Sequence, residues 1–252
     1  METFVTAAVL GSYLLFIALD FWRPARAFPR IPFWRAKGVI FFLLNLSLSM
    51  TLPLLWDGWL GRFRLLDATG LGTVGGAVFG LIVLQLGVYV WHRALHRVPF
   101  LWRTFHQMHH SAERLDVFGA LYSHPLDAAG FALLYSLALV VLTGVSAEAA
   151  MLASGAASFL SFFQHANVKT PRWLGYVIQR PEMHAVHHER GVHHHNFSDF
   201  PVFDLLFGTF RNPPDWRGQA GFYDGGSKRI GEMLIGRDVA APPQRQSLEL
   251  RP

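Results

Sequence analysis

Three apolar runs decide most of what this chain can become. Residues 3–19, 39–56 and 74–91 carry no charged side chain. As helices rising about 1.5 Å per residue, each is long enough to cover a bilayer core of roughly 30 Å. A further apolar stretch, 126–163, is interrupted at Thr143-Gly144-Val145-Ser146. That break predicts two short helices, 126–143 and 146–163, folded as a tight hairpin. Pro53 is expected to kink the second run. From Gln164 onward no run is long enough to span. Composition agrees, with 15% charged residues against about 25% in soluble domains. The absence of cysteine excludes a disulfide framework, a thiolate metal site and a cysteine nucleophile.

The first run does not read as a secretory signal. Glu2 precedes it, while Arg23 and Arg26 follow it, so it is expected to stay as an anchor. The net charge of +5 invites a nucleic-acid reading, but the basic residues are placed as membrane topology requires. Arg23, Arg26, Arg30, Arg35 and Lys37 separate the first two runs, only Arg62 and Arg64 separate the next two, and none falls within 126–163. If the 23–37 loop is cytoplasmic, 20 of the 22 basic residues lie on that side, as the positive-inside rule demands. Every histidine lies there too. The expected fold is therefore all-α. It is an integral membrane bundle of three spanning helices, a helical hairpin and a cytoplasmic, histidine-rich helical cap. The chain 1–252 reads as a single membrane-embedded domain, with cap segments 92–125 and 164–240 and a loose tail over 241–252.

All 13 histidines fall between His92 and His195. His92 and His96 stand at i and i+4. His106, His109 and His110 stand at i, i+3 and i+4, and His184, His187 and His188 repeat that spacing. His165 closes the hairpin. Residues three and four apart share a helix face, so each group projects two or three imidazoles together, and neutral imidazole is a ligand for iron, zinc, copper and nickel. A lone i,i+4 pair is commonplace on any helix surface. Two HxxHH clusters, an HxxxH and His165, all at the ends of apolar runs, are not, because ionisable groups at membrane depth are costly. Eight or nine converging histidines imply two metals. His124, in Ser-His-Pro, fits a structural turn as well as a ligand. The run His193-His194-His195 fits a solvated stretch, a transient metal contact or a support for the ligands.

The order HxxxH, HxxHH, single His, HxxHH resembles the fatty acid hydroxylase/sterol desaturase superfamily of membrane di-iron proteins. Ser111 and Glu113 follow the second box as in that family's His-His-Ser-x-Glu. His124-Pro125-Leu126-Asp127, Gln164-His165-Ala166-Asn167, Asn196-Phe197-Ser198 and Asp204-Leu205-Leu206-Phe207-Gly208-Thr209 are similar to further family segments. The resemblance covers about 75–212. Three positions depart from the pattern: Val202-Phe203 stands where a Trp often precedes the Asp, the triple histidine is unusual, and Ser161 stands where some relatives have a histidine.

The resemblance implies two iron ions, O2 as co-substrate, and hydroxylation or desaturation of a C–H bond in a lipid-like molecule such as a fatty acyl chain, sterol or related isoprenoid. It implies nine ligands: His92, His96, His106, His109, His110, His165, His184, His187 and His188. Beyond the metal centre no catalytic residue is expected. His124, His195, Asn196 and Asp204 are candidates for additional or supporting roles, as are Glu113, Asp116, Asn167 and Glu189. The electrons are expected from a separate protein of cytochrome b5 or ferredoxin/reductase type, since no histidine remains to ligate a haem and no His-Pro-Gly-Gly occurs. Arg172, Arg180 and Arg190 are candidates to dock an acidic donor, or to attract lipid headgroups. The Ala/Arg/Gly-rich composition points to a bacterial inner membrane. Two other readings stay open. A membrane zinc hydrolase would want three ligands and a Glu base, and no HExxH is present. A metal transporter would place its ligands near the bilayer midplane.

Overall fold

The computed structural model describes residues 1–242; the expected tail lies outside them except for its first two residues. Apolar sequence becomes helix throughout, because in lipid only a helix satisfies every backbone N–H and C=O within one segment. The elements are α1 (Glu2–Trp22), α2 (Trp34–Leu60), α3 (Gly72–Arg97), α4 (Pro99–Leu101), α5 (Gln107–His110), α6 (Pro125–Ser136), α7 (Ala147–His165), α8 (Pro181–His187), α9 (Pro201–Leu206) and α10 (Ile230–Leu234). No strand occurs among the described residues, only an isolated bridge between Glu189 and Ala220.

Four stretches are long and apolar enough to cross a membrane: Glu2–Trp22, Trp34–Phe63, Thr69–Arg97 and Pro125–Leu142. The fourth is the first arm of the expected hairpin. A π-helical turn, Leu137–Leu142, continues α6, so this arm is as long as a spanning helix and not a short one. Ser146 then caps α7 by accepting from Ala149 N. The bundle's outer faces carry Leu14, Ile40, Leu54 and Val74, all exposed. Such a belt of large apolar side chains needs lipid around it, as in a multi-pass membrane protein.

Packing inside the bundle follows residue size. Gly76 and Gly80 of α3 face Ala149, Val145 and Leu139 closely enough that a methyl group at Gly80 would lie 2.8 Å from Leu139. Small residues let helix backbones approach where no hydrophobic driving force separates them from lipid. Tyr13 of α1 stacks on Phe42 of α2 at 4.0 Å and meets Phe162 of α7 at 5.2 Å.

The two ends differ in chemistry. At one, the 61–71 loop is pinned to the hairpin turn through Leu65 N to Val141 O and Ala68 N to Thr143 O. At the other, polar side chains tie the helix ends to the histidine-bearing segments. Asp20 accepts from Val117 N at 2.8 Å and Asn167 N at 2.6 Å. Trp34 Nε1 donates to Asp116 at 2.8 Å.

Gly144 turns the hairpin with φ +56, and a Cβ there would collide with the Leu66 carbonyl. Gly144→Ala should therefore cost about 1–3 kcal/mol, read as a drop of several degrees in thermal unfolding in detergent. Gly58→Ala, which would meet open space, should leave the transition unmoved or slightly raised.

Candidate metal centre

The chain leaves α3 through Val98, whose extended backbone is what a following proline prefers, and Pro99 opens α4. A π-helical turn, Trp102–His106, then joins α4 to α5. His92 and His96 thus come from the last turns of α3, His106 from the π turn, and His109 and His110 from α5. His165 is the last residue of α7. His184 and His187 lie in α8, which Pro181 opens, and His188 directly follows it.

The structure gathers all nine predicted residues into two adjacent groups. His92, His96, His106, His110 and His187 form one; His109, His165, His184 and His188 form the other. Within each, ligating nitrogens lie within 4.8 Å of one another. Each HxxHH box gives its i and i+4 imidazoles to one group and its i+3 imidazole to the other. Helical geometry explains the split, since i+4 lies about 40° from i and i+3 about 60° the other way. The groups touch along His110 and His188, whose rings stack at 4.1 Å.

Far-side partners turn five of these rings. Nδ1–H of His92 donates to Phe197 O at 2.9 Å, that of His106 to Asp127 at 3.1 Å, that of His165 to Ser161 O at 2.7 Å and that of His187 to His195 O at 2.7 Å. Gln179 lies 2.8 Å from His184 Nδ1. With its carbonyl oxygen accepting there, its amide donates to the carbonyls of Asn196 and Ser198. Each of these rings therefore points a bare Nε2 inward. His92 and His106 face each other at 2.9 Å, as do His165 and His184; His188 lies 3.0 Å from His184 and His109 3.2 Å from His165. In the first two of these contacts both nitrogens are bare, and two lone pairs at that distance repel. Nitrogens sharing one metal at 2.0–2.1 Å lie about 3 Å apart, so a cation turns these contacts favourable. His96 Nε2, His187 Nε2 and both ring nitrogens of His110 are also buried without a partner, and an unsatisfied buried group costs about 1–3 kcal/mol. The donor set fits a pair of metal ions held by imidazole.

Electrostatics favour the ligating form. Burial, reinforced by neighbouring imidazoles, holds His109, His110, His184, His187 and His188 well below the ordinary 6.5. Neutral imidazole is the form that binds metal.

The remaining candidates do other work. His124 caps α6, its Nδ1 accepting from Leu126 N and its Nε2–H donating to Leu234 O. His195 contributes its carbonyl, not its ring. Asp204 accepts from Phe197 N, Ser198 N and Thr209 Oγ1, and so holds the strand of chain whose carbonyl turns His92. Asn196, at φ +58, joins Met183 O to Arg211. Glu113 is bound to Gly225 and Ser227, Asp116 to Trp34 and Arg114, Asn167 to Arg26, and Glu189 to Trp216; none of these touches a ligating ring. Arg180 is no docking residue. It is fully buried, paired with Glu182 at 3.0 Å and bonded to Asn212, because burying it unpaired would be prohibitive. Arg172 is exposed.

Asp127 and Gln179 were not expected as partners of ligating rings. Asp127 left one signal, a carboxylate at the head of an apolar stretch that holds no basic residue. Gln179 left none, and backbone carbonyls leave none in any sequence.

Residues 77–209 match the family model described as fatty acid hydroxylase. The chain is 30% identical over 145 residues to the ornithine lipid hydroxylase OlsE of Rhizobium tropici, covering 54% of this chain and 42% of that one. It is 28% identical over 142 residues to sphinganine C4-monooxygenase 1 of Arabidopsis thaliana, 53% of each. It is 27% identical over 172 residues to the Delta(7)-sterol-C5(6)-desaturase of Nicotiana tabacum, 66% of this chain and 60% of that one. The chain thus spans about half the length of these relatives. No solved structure matches it.

Two outcomes follow from the geometry. Removing the carboxylate behind His106 by Asp127→Ala should weaken metal retention about 10–100-fold, measured by competition with a chelator. In the metal-free protein the buried rings take up protons only on unfolding, so the unfolded chain binds more protons in acid. Stability should be full above about pH 6.5 and decline as pH falls below it. Thermal melts of metal-free protein between pH 8 and 5 read this; a flat profile would contradict neutral packing.

Proposed function

Because the chain belongs to the fatty acid hydroxylase family, we propose that it is a membrane oxidoreductase carrying two iron ions and using O2 to hydroxylate or desaturate a C–H bond of a lipid-like substrate. One observation carries the reading: two adjacent sets of imidazoles, five and four, converge at one end of an apolar bundle. His92, His96, His106, His110 and His187 would hold one ion; His109, His165, His184 and His188 the other. Bound iron supplies the redox chemistry that activates oxygen toward an unactivated C–H bond.

The chain's own contribution is positional and electrostatic. Acceptors at Phe197, Asp127, Ser161, Gln179 and His195 keep the inward nitrogens of five rings bare and aimed. The carboxylate behind His106 makes that ring a stronger donor than the others. Burial keeps water away from the groups. Neither group contains a carboxylate, and Glu113, Glu182 and Glu189 are each engaged by other groups, which favours this reading over a zinc hydrolase with a Glu base.

The same reading assigns three spanning helices and a hairpin, with the histidine end in the cytoplasm of a bacterial inner membrane, as the basic loops favour. Substrate arrives laterally from lipid. Electrons arrive from a separate acidic protein, docked on the basic face that includes Arg172. The relatives' names include lipid, sphinganine and sterol substrates, so the substrate class is drawn as a lipid with an aliphatic C–H bond.

Purified from iron-supplemented cells, the protein should hold two irons per chain and consume O2 when given reductant and substrate. His109→Ala and His187→Ala, one from each group, should each drop iron to one per chain or fewer and abolish turnover. Full metal and full turnover in both variants would overturn the reading. Comparing the lipids of a strain lacking the gene with those of its parent should reveal an oxidised lipid missing from the deletion strain.

A further inference from the structure

The segment between Asn196 and Arg211 does not behave like part of an aqueous cap. Its neck is pinched shut: Asn196 N donates to Thr209 O at 3.1 Å, and Arg211 N donates to Asn196 Oδ1 at 2.8 Å. From that neck the chain runs along α3, back toward the middle of the bundle. Tyr89 of α3 stacks on Phe207 at 4.9 Å, and its hydroxyl lies 3.2 Å from Thr209 Oγ1. Further in, Gln85 donates to Asp199 Oδ2 at 2.6 Å and accepts from Asp199 N at 3.1 Å and Ser198 Oγ at 3.0 Å. Gln85 lies six residues inside the end of the apolar run 74–91, about 9 Å along the helix.

Irregular backbone at membrane depth survives only where protein satisfies its polar groups, and here it does. Gln85 takes up the tip, and Asp204 takes up Phe197 N and Ser198 N. Both aspartates are buried, and no basic residue occurs between His195 and Arg211. What the segment does expose is apolar: Val202 at 48%, Leu205 at 49%, Leu206 at 71% and Phe207 at 51%. This face continues the outer face of α3, where Leu86 and Val90 are also exposed. At its rim, Tyr176 packs on Phe210 at 5.6 Å beside the exposed Trp173, the aromatic types that mark a membrane–water boundary.

We infer that residues 196–210 form a re-entrant wedge that enters the bilayer beside α3 and presents Val202, Leu205 and Leu206 to lipid acyl chains. The inference rests on α3 spanning the membrane, and it revises the expectation that everything after Gln164 is aqueous. It also joins the lipid to the metal centre, because Phe197, at the base of the wedge, supplies the carbonyl that turns His92.

The absence of cysteine makes the test clean. Single variants Leu206→Cys and Val202→Cys, spin-labelled in the full chain in phosphatidylcholine/phosphatidylglycerol vesicles, are probed by oxygen, which partitions into lipid, and by a water-soluble nickel chelate. Val78→Cys on the outer face of α3 and Asp224→Cys on an exposed loop serve as references. The wedge labels should match Val78, with oxygen accessible and nickel excluded several-fold relative to Asp224. If both wedge labels track Asp224 while Val78 stays protected, the wedge is wrong and the spanning α3 stands. If Val78 is itself nickel-accessible, the spanning reading fails first. Shielding of the wedge labels from both probes would mean protein covers this face, which also overturns the inference.

Discussion

Nine imidazoles crowded into one dry volume repel unless each ring is turned so that its near nitrogen serves a common purpose. That requirement shapes the histidine end of the molecule. Five of the rings are turned by an acceptor on the far nitrogen; His165 finds its acceptor in its own helix, at Ser161 O, and the other four find theirs in a segment outside the element that carries the ring. The 195–197 stretch stands behind α3 and α8, α6 stands behind the π turn, and the segment before α8 stands behind His184. Much of what looks like loop after Gln164 is there to supply such acceptors. The bundle supplies the opposing requirement, a rigid apolar floor that keeps the rings neutral and the water out.

The π-helical turn at Trp102–His106 fits the same logic. It offsets the rings by a fraction of a turn between α4 and α5, and His106 joins His92 and His96 while its box-mate His109 joins the second group. A regular helix would carry the same three histidines, but the approach to α3 would differ. Here backbone irregularity at a functional position has a geometric reason.

How much of this the sequence discloses depends on range. The apolar runs announce their helices because hydrophobic length is a local property, and the HxxHH spacings announce shared faces for the same reason. The hairpin break at Thr143–Ser146 is equally local. The extent of its first arm is legible too, since the expected 126–143 and the observed Pro125–Leu142 nearly coincide, but the π turn at 137–142 that completes it carries no residue that marks it. The division of nine histidines into five and four is not local, since it depends on how α5 and α8 face each other. The partners of the rings are less legible still: three are backbone carbonyls, and Gln179 resembles any surface glutamine until the fold buries it. Arg180 fails in the opposite direction, because a basic residue in a polar segment reads as surface, while the neighbouring Glu182 pairs with it and Asn212 arrives from thirty-two residues away to complete its burial.

Asp20 has a consequence for how this chain may be divided. The stretch that matches the family begins at residue 77, well after α1 and α2. Yet the one carboxylate near the end of α1 receives two backbone amides, one from the turn after α5 and one from the residue two past His165. Trp34, at the start of α2, bonds the aspartate beside that turn. A fragment cut at the family boundary would leave those two amides without their carboxylate, each a penalty of about 1–3 kcal/mol where water is scarce, and would strip Asp116 of one of its two partners. The matched stretch is therefore tied to what precedes it: α1 and α2 bracket the segments that carry the histidines, and a fragment or fusion that omits them would join the protein at a seam it does not have.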